Sequence, residues 1–110
     1  MPAARERQAG FRSETLPALL IANIEVLNPA MYEDYKRGVE PTIAAFGGRY
    51  LARGGKIHPL EGEWSPNRFV VVEFPSAAQA SAWWNSREYA DAKALRQKCA
   101  KTDMFIVEGL

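Results

Sequence analysis

The 110-residue chain predicts an α+β protein of the ferredoxin-like βαββαβ plan, with four antiparallel strands and both helices on one sheet face. Three observations carry this. Runs rich in Leu, Ile, Val and Phe open, divide and close the chain; the segments between them carry helical periodicity; and capping residues or glycines mark the changes of element. Right-handed crossovers then put the first and third strands at the centre of the sheet.

Residues 1–17, "MPAARERQAGFRSETLP", read as a flexible tail: they are Arg-rich, contain Glu6 and Glu14, and lack the apolar stretch of a secretory signal. Residues 18–110 form the single expected domain. "ALLIANIEVLNP" predicts a strand over 18–27. Asn28 offers a side-chain oxygen as helix cap, and Pro29 sits where the first turn needs no amide hydrogen. Met31, Tyr35, Val39, Ile43 and Phe46 then follow as one apolar stripe. Pro41 interrupts the ladder of that helix, which predicts a kink or restart near Glu40, and Gly47-Gly48 end it.

"RYLAR" is a short strand, "GGKIHPLEGEWSPN" a long turn-rich connection, and "RFVVVEFP" the strongest strand in the chain. Ser76 caps the next helix with Gln79 in capping-box spacing, and Ala77, Ala80, Trp83 and Trp84 supply its apolar side. Ser86 caps a second segment running through Tyr89, Ala92, Leu95 and Cys99, and "MFIVEGL" is the last strand.

Composition excludes several function classes. Fourteen basic and 13 acidic residues leave a formal charge of +1, which advertises neither a nucleic-acid nor a membrane partner. Cys99 and His58 are the sole members of their types, so an intrachain disulfide, a His–His zinc site and an HExxH motif are ruled out. No metal or cofactor is expected, and a reducing cytoplasm is the natural compartment.

The two central strands do not alternate apolar with polar. Leu19 and Ile21 oppose Leu20 and Ala22 across the first strand, and Phe69 and Val71 oppose Val70 and Val72 across the third. Only one sheet face can meet the helices. The other exposes on the order of several hundred Å² of apolar surface, whose burial at about 25 cal/mol per Å² is worth several kcal/mol. An identical sheet from a second copy covers it most simply, which predicts an isologous homodimer.

In order, "FGGRYLARGG", "LEGEW.P", "VVVEFPS", "W.NSREYADAKALRQ" and "FIVEGL" resemble a bacterial family of domains of unknown function, number 1330, in the dimeric α+β barrel superfamily. The resemblance spans roughly residues 18–110 and departs from the family pattern at Arg87, where Ser-Pro-Glu-Tyr is frequent. It implies ferredoxin-like protomers paired sheet to sheet into a barrel, and it brings no established activity. The wider superfamily implies cofactor-free monooxygenases, muconolactone isomerases and haem-degrading enzymes as relatives; His58, in a loop, suits the last of these poorly.

The glycine pairs around "RYLAR" match neither a Walker loop nor a dinucleotide fingerprint, and read as a helix cap and a strand exit. Arg49 and Arg53 are four apart on one strand, which predicts a shared face, and Glu73 needs a cationic neighbour that either could provide. The plainer reading is a structural ion pair; the sharper one is a polar ligand oriented by Arg53 and Glu73, with Asn23 and Glu25 nearby. Trp83, Trp84, Tyr89 and Tyr35 are core aromatics in the plain reading. With Arg96 they can also form a slot for a flat organic molecule. His58 and Trp64 lie in the long connection, where lids occur.

These residues support a homodimer that binds a small aromatic or lactone-like molecule between sheet and helices through Asn23, Arg53, His58, Trp83, Tyr89 and Arg96. An alternative is a cofactor-independent monooxygenase or isomerase, with Glu73 or Tyr35 as general base or hydrogen-bonding group. A ligand-free assembly or regulatory module is a third class. An RNA-recognition module is disfavoured, because Asn67, Arg68 and Val71 stand where its third strand needs a base, a glycine and a stacking ring.

Overall fold

Along β1 (Ala18–Val26) buried Ala18, Leu20, Ala22 and Ile24 alternate with half-buried Leu19, Ile21 and Asn23. The strand therefore has two apolar faces, of which one is covered. The structure is a computed structural model and describes residues 16–110. After β1 come α1 (Pro29–Ala45), β2 (Arg49–Arg53), β3 (Arg68–Phe74), α2 (Ala77–Trp84), α3 (Arg87–Cys99) and β4 (Ala100–Glu108). The strands order β2-β3-β1-β4, all antiparallel, with β1 and β3 central. This is the ferredoxin-like plan. The expected tail lies outside the described residues except for Leu16 and Pro17, and the Pro17 carbonyl accepts a hydrogen bond from the Gly109 amide at 2.7 Å.

The helix signals act as the sequence predicts. Asn28 accepts from the Met31 amide at 3.1 Å and Ser76 from Gln79 at 3.1 Å. Ser86 accepts from the Tyr89 amide while donating its own hydrogen to the Trp83 carbonyl. At the end of α1 the Gly47 and Gly48 amides donate back to the Ala44 and Ile43 carbonyls, the double bond of a Schellman cap, and Gly47 sits at φ +82°. The Gln79 side chain does not close its own capping box; its amide reaches the Phe46 carbonyl and joins α2 to the end of α1.

Three expectations need correction. Helix α1 runs through Pro41 without a restart, because proline removes one donor while Val39, Thr42 and Ile43 stay buried against the sheet. Strand β4 begins at Ala100 and not at Met104. Its polar opening, Lys101 to Asp103, hides the strand in the sequence, yet the Cys99 carbonyl accepts the Leu27 and Asn28 amides and delivers Ala100 into register opposite Val26. Finally, β2 carries a register shift between Tyr50 and Ala52. Arg49 pairs opposite Glu73 and Arg53 opposite Val70, so the two arginines project to opposite faces of the sheet.

The core lies between sheet and helices. Phe74, Trp83 and Tyr89 form its centre, with Trp83 stacked on Tyr89 at a centroid distance of 3.9 Å. Trp84 is half-buried beneath Lys93, as expected of two adjacent tryptophans that cannot share one face. The opposite sheet face carries Leu19, Ile21, Phe69 and Val71 half-buried, and Phe105 and Val107 exposed.

Candidate functional site

Between α1 and the helix-facing side of the sheet the side chains leave a cleft. Leu20, Ala22, Ile24, Val70, Val72 and Met104 form its floor, Tyr32, Tyr35 and Val39 its roof, and Trp83 one wall. Ile43, Lys36, Tyr50, Arg53 and Arg68 complete the lining, the lysine and the two arginines supplying its charge. The cavity is about 30 Å³, room for a water or two and well below the roughly 300–1,000 Å³ of a small-molecule pocket. A larger occupant requires side chains to move.

Each polar group of the lining is held by a specific contact. Arg68 donates from Nε to the Tyr32 hydroxyl at 3.1 Å. Gly54, at φ +71°, makes room for it, since a Cβ there would stand 2.3 Å from Arg68 Nη1. Arg53 lies over the Tyr50 ring at 4.3 Å, donates to the Lys36 carbonyl and pairs with Glu40 Oε1 at 3.3 Å. The Trp83 indole donates to Thr42 Oγ1 at 2.9 Å, and Thr42 donates in turn to the Val39 carbonyl. The Tyr35 and Tyr89 hydroxyls lie 3.1 Å apart, and Arg96 Nε donates to Tyr89 at 3.3 Å.

Burial keeps the lining phenols protonated. It pushes Tyr35 far above its ordinary value, with the neighbouring Tyr89 adding to the effect. Burial also raises Tyr50 to about 12, and raises Tyr32 against the opposing pull of Arg68. At neutral pH these groups are hydrogen-bond donors or acceptors and poor proton abstractors.

Of the residues singled out from sequence, Tyr35, Arg53 and Trp83 line the cleft, and Tyr89 and Arg96 stand behind Tyr35. The others are elsewhere. Glu73 lies on the open sheet face, where Arg49 holds it through Nε at 2.8 Å, so it does not reach the space that Tyr35 faces. Asn23 is on that same face and binds Asn67 by side chain and backbone. His58 is exposed in the long connection, and Trp64 packs edge-on against Phe69, toward the open face and away from the cleft. No His, Cys, Asp or Glu group among the described residues could hold a metal ion, and no helix there is long and apolar enough to cross a membrane.

Residues 17–110 match the domain of unknown function DUF1330. The chain belongs to the DUF1330 family. No curated protein matches it. Among solved structures it resembles RPA0582, a protein of unknown function from Rhodopseudomonas palustris, at 18% identity and TM-score 0.72, covering 88% of this chain and 85% of that one. It also resembles SnoaB, a cofactor-independent oxygenase from Streptomyces nogalater, at 9% identity and TM-score 0.62, covering 87% of this chain and 95% of that one. At such identities the likeness shows the fold alone, the ferredoxin-like α+β plan.

Sequence reading of this DUF1330 chain missed Tyr32, Tyr50 and Arg68. A signal existed for two of them. Arg68 shares the strand parity of Val70, Val72 and Phe74, and Tyr32 precedes Tyr35 and Val39 by three and seven, a better helical stripe than one through Met31. Tyr50 reaches the cleft beside Arg53 only because of the irregularity in β2, which its sequence does not announce.

Proposed function

We propose that this DUF1330 protein is a homodimer that binds one small planar organic molecule per protomer, in the cleft between α1 and the sheet. The observation that carries the reading is the convergence of Lys36, Arg53, Arg68, Tyr32, Tyr35 and Tyr50 on a largely apolar space. An apolar floor with a few polar groups is the usual make-up of a ligand site, and guanidinium and phenol donors suit a molecule bearing carbonyl, phenol or carboxylate oxygens. Entry requires the mouth to open. Arg53 is held there by an ion pair with exposed Glu40, worth about 1 kcal/mol or less, and by the Lys36 carbonyl and the Tyr50 ring, all of which its displacement gives up.

The open sheet face supports the dimer. Phe105 is 57% and Val107 43% exposed, beside half-buried Leu19, Ile21, Phe69 and Val71, and a second copy would cover all of them at once. Trp64 against Phe69 would extend that interface, and the Arg49–Glu73 pair would lie at its margin.

An enzymatic reading, cofactor-independent oxygenation or isomerisation, is favoured by the presence of Tyr35 among the residues lining the cleft. The fold shared with SnoaB is compatible with it. In that reading Tyr35 donates a hydrogen bond to a substrate oxygen, since burial holds its proton in place.

The test is a titration with a panel of phenols, quinones and lactones followed by NMR. At least one compound should bind and shift the Met104 methyl and Trp83 indole signals. Shifts confined to Ile21, Phe69 and Phe105, or no binding by any compound, would overturn the cleft as the site.

A further inference from the structure

Arg96 is a cation inside the protein. It is 3% exposed, no carboxylate among the described residues pairs with it, and its Nη2 has no hydrogen-bond partner. Its neighbours are Tyr89, the Tyr35 ring at 6.0 Å and the Trp84 ring at 5.8 Å. Rings and neutral hydroxyls only partly offset the loss of hydration, and a buried guanidinium without an anion is costly. Tyr35 is also one of the residues lining the cleft.

The hydrogen-bond chemistry gives this arrangement a direction. A guanidinium has no acceptor, so Arg96 Nε donates to the Tyr89 oxygen. The two hydroxyls lie 3.1 Å apart and either could donate; with the Tyr89 oxygen already taken by Arg96, Tyr89 as donor to Tyr35 is the order the relay requires. In that order the Tyr35 hydrogen is left unused, on a residue that lines the cleft. The reverse order, Tyr35 donating to Tyr89, leaves the Tyr89 hydrogen without an acceptor and turns a bare oxygen toward the ligand. Each donated bond polarises the next, and the fixed charge behind them acts through a medium of low dielectric.

We propose that Arg96, acting through Tyr89, polarises the Tyr35 hydroxyl so that the cleft selects ligands presenting an oxygen anion, a phenolate or enolate, at that point. This rests on the cleft being the ligand site and names the class of ligand it takes. Arg96 and Tyr89 are positioning residues; of the three, Tyr35 alone touches the ligand. Lys36, Arg53 and Arg68, from α1, β2 and β3, add positive charge around the same space, with Tyr32 and Tyr50 neutral beside them. The specific contribution of the relay is therefore read by difference.

The probe is para-nitrophenol, whose phenolate absorbs visibly. Bound to the wild-type homodimer it should ionise at lower pH than in free solution. Tyr89→Phe keeps the ring stacked on Trp83 and removes only the hydroxyl. It should weaken phenolate binding about tenfold, the size of one charge-assisted hydrogen bond, and leave binding of the neutral phenol nearly unchanged. Arg96→Met should do the same where it folds, and Tyr89→Phe suffices where it does not. Equal ionisation of the bound probe in wild type and Tyr89→Phe overturns the relay while leaving the cleft in place. Failure of either form of the probe to bind wild type at all removes the cleft as a phenol site, and this inference with it.

Discussion

Trp83 and Thr42 are joined at 2.9 Å by the indole N–H, a single buried bond that ties α2 to α1 across the back of the cleft. Trp83 is 1% exposed, so no water can replace the acceptor. Thr42→Val keeps the shape and strands the donor. Chemical denaturation should show a loss of about 1–3 kcal/mol, and Thr42→Ser should recover most of it. Equal stability of the valine and serine variants would mean that the bond contributes nothing net.

The cap of α1 makes a second prediction. Gly47 holds φ +82°, and a Cβ there would also approach Pro75 Cγ at 3.0 Å. Gly47→Ala should cost about 1–2 kcal/mol, the usual cost of a left-handed alanine. Gly55→Ala, where a Cβ meets nothing within 4 Å, should be near neutral in the same melt. Similar losses in both would show that the long connection and the helix cap are equally tolerant.

Charge on the open sheet face should separate the protomers. Phe105→Glu leaves the core beneath untouched, so circular dichroism should not change, while sedimentation at micromolar concentration should fall from two subunits to one. A wild-type chain that already sediments as one folded subunit would remove the homodimer.

Alkaline pH should act through the buried phenols. Tyr35 and Tyr50 have raised values in the folded protein against an ordinary 10.0, so the folded state keeps protons that the unfolded chain releases. Their stabilisation is complete below pH 10 and falls as pH rises, toward about 12 for Tyr50 and beyond that for Tyr35. At about pH 11 the loss from Tyr35 should approach 1.4 kcal/mol, one unit's worth, with less from half-buried Tyr50. Tyr35→Phe should therefore be less stable than wild type near neutrality, by the lost bond to Tyr89, and the gap should narrow as pH rises. A gap of constant width would show that Tyr35 titrates normally.

The order of elements, the helix caps at Asn28, Ser76 and Ser86, the glycine stop after α1 and the two apolar faces of the central strands are all legible in the sequence, because each depends on residues a few positions apart. Spacing of this kind sets local geometry directly. What the sequence does not contain is which side chains meet across elements. Arg49 and Arg53 look alike on a strand, and the register shift between them sends one to Glu73 on the open face and the other into the mouth of the cleft. Tyr35, Tyr89 and Arg96 can be grouped from the sequence as walls of a slot, but only the packing of α3 against α1 lines up their polar atoms beside an apolar cleft. A one-residue irregularity reverses a face, and a helix–helix contact places a cation. Both are set by the fit of the whole core, so only the tertiary structure decides them.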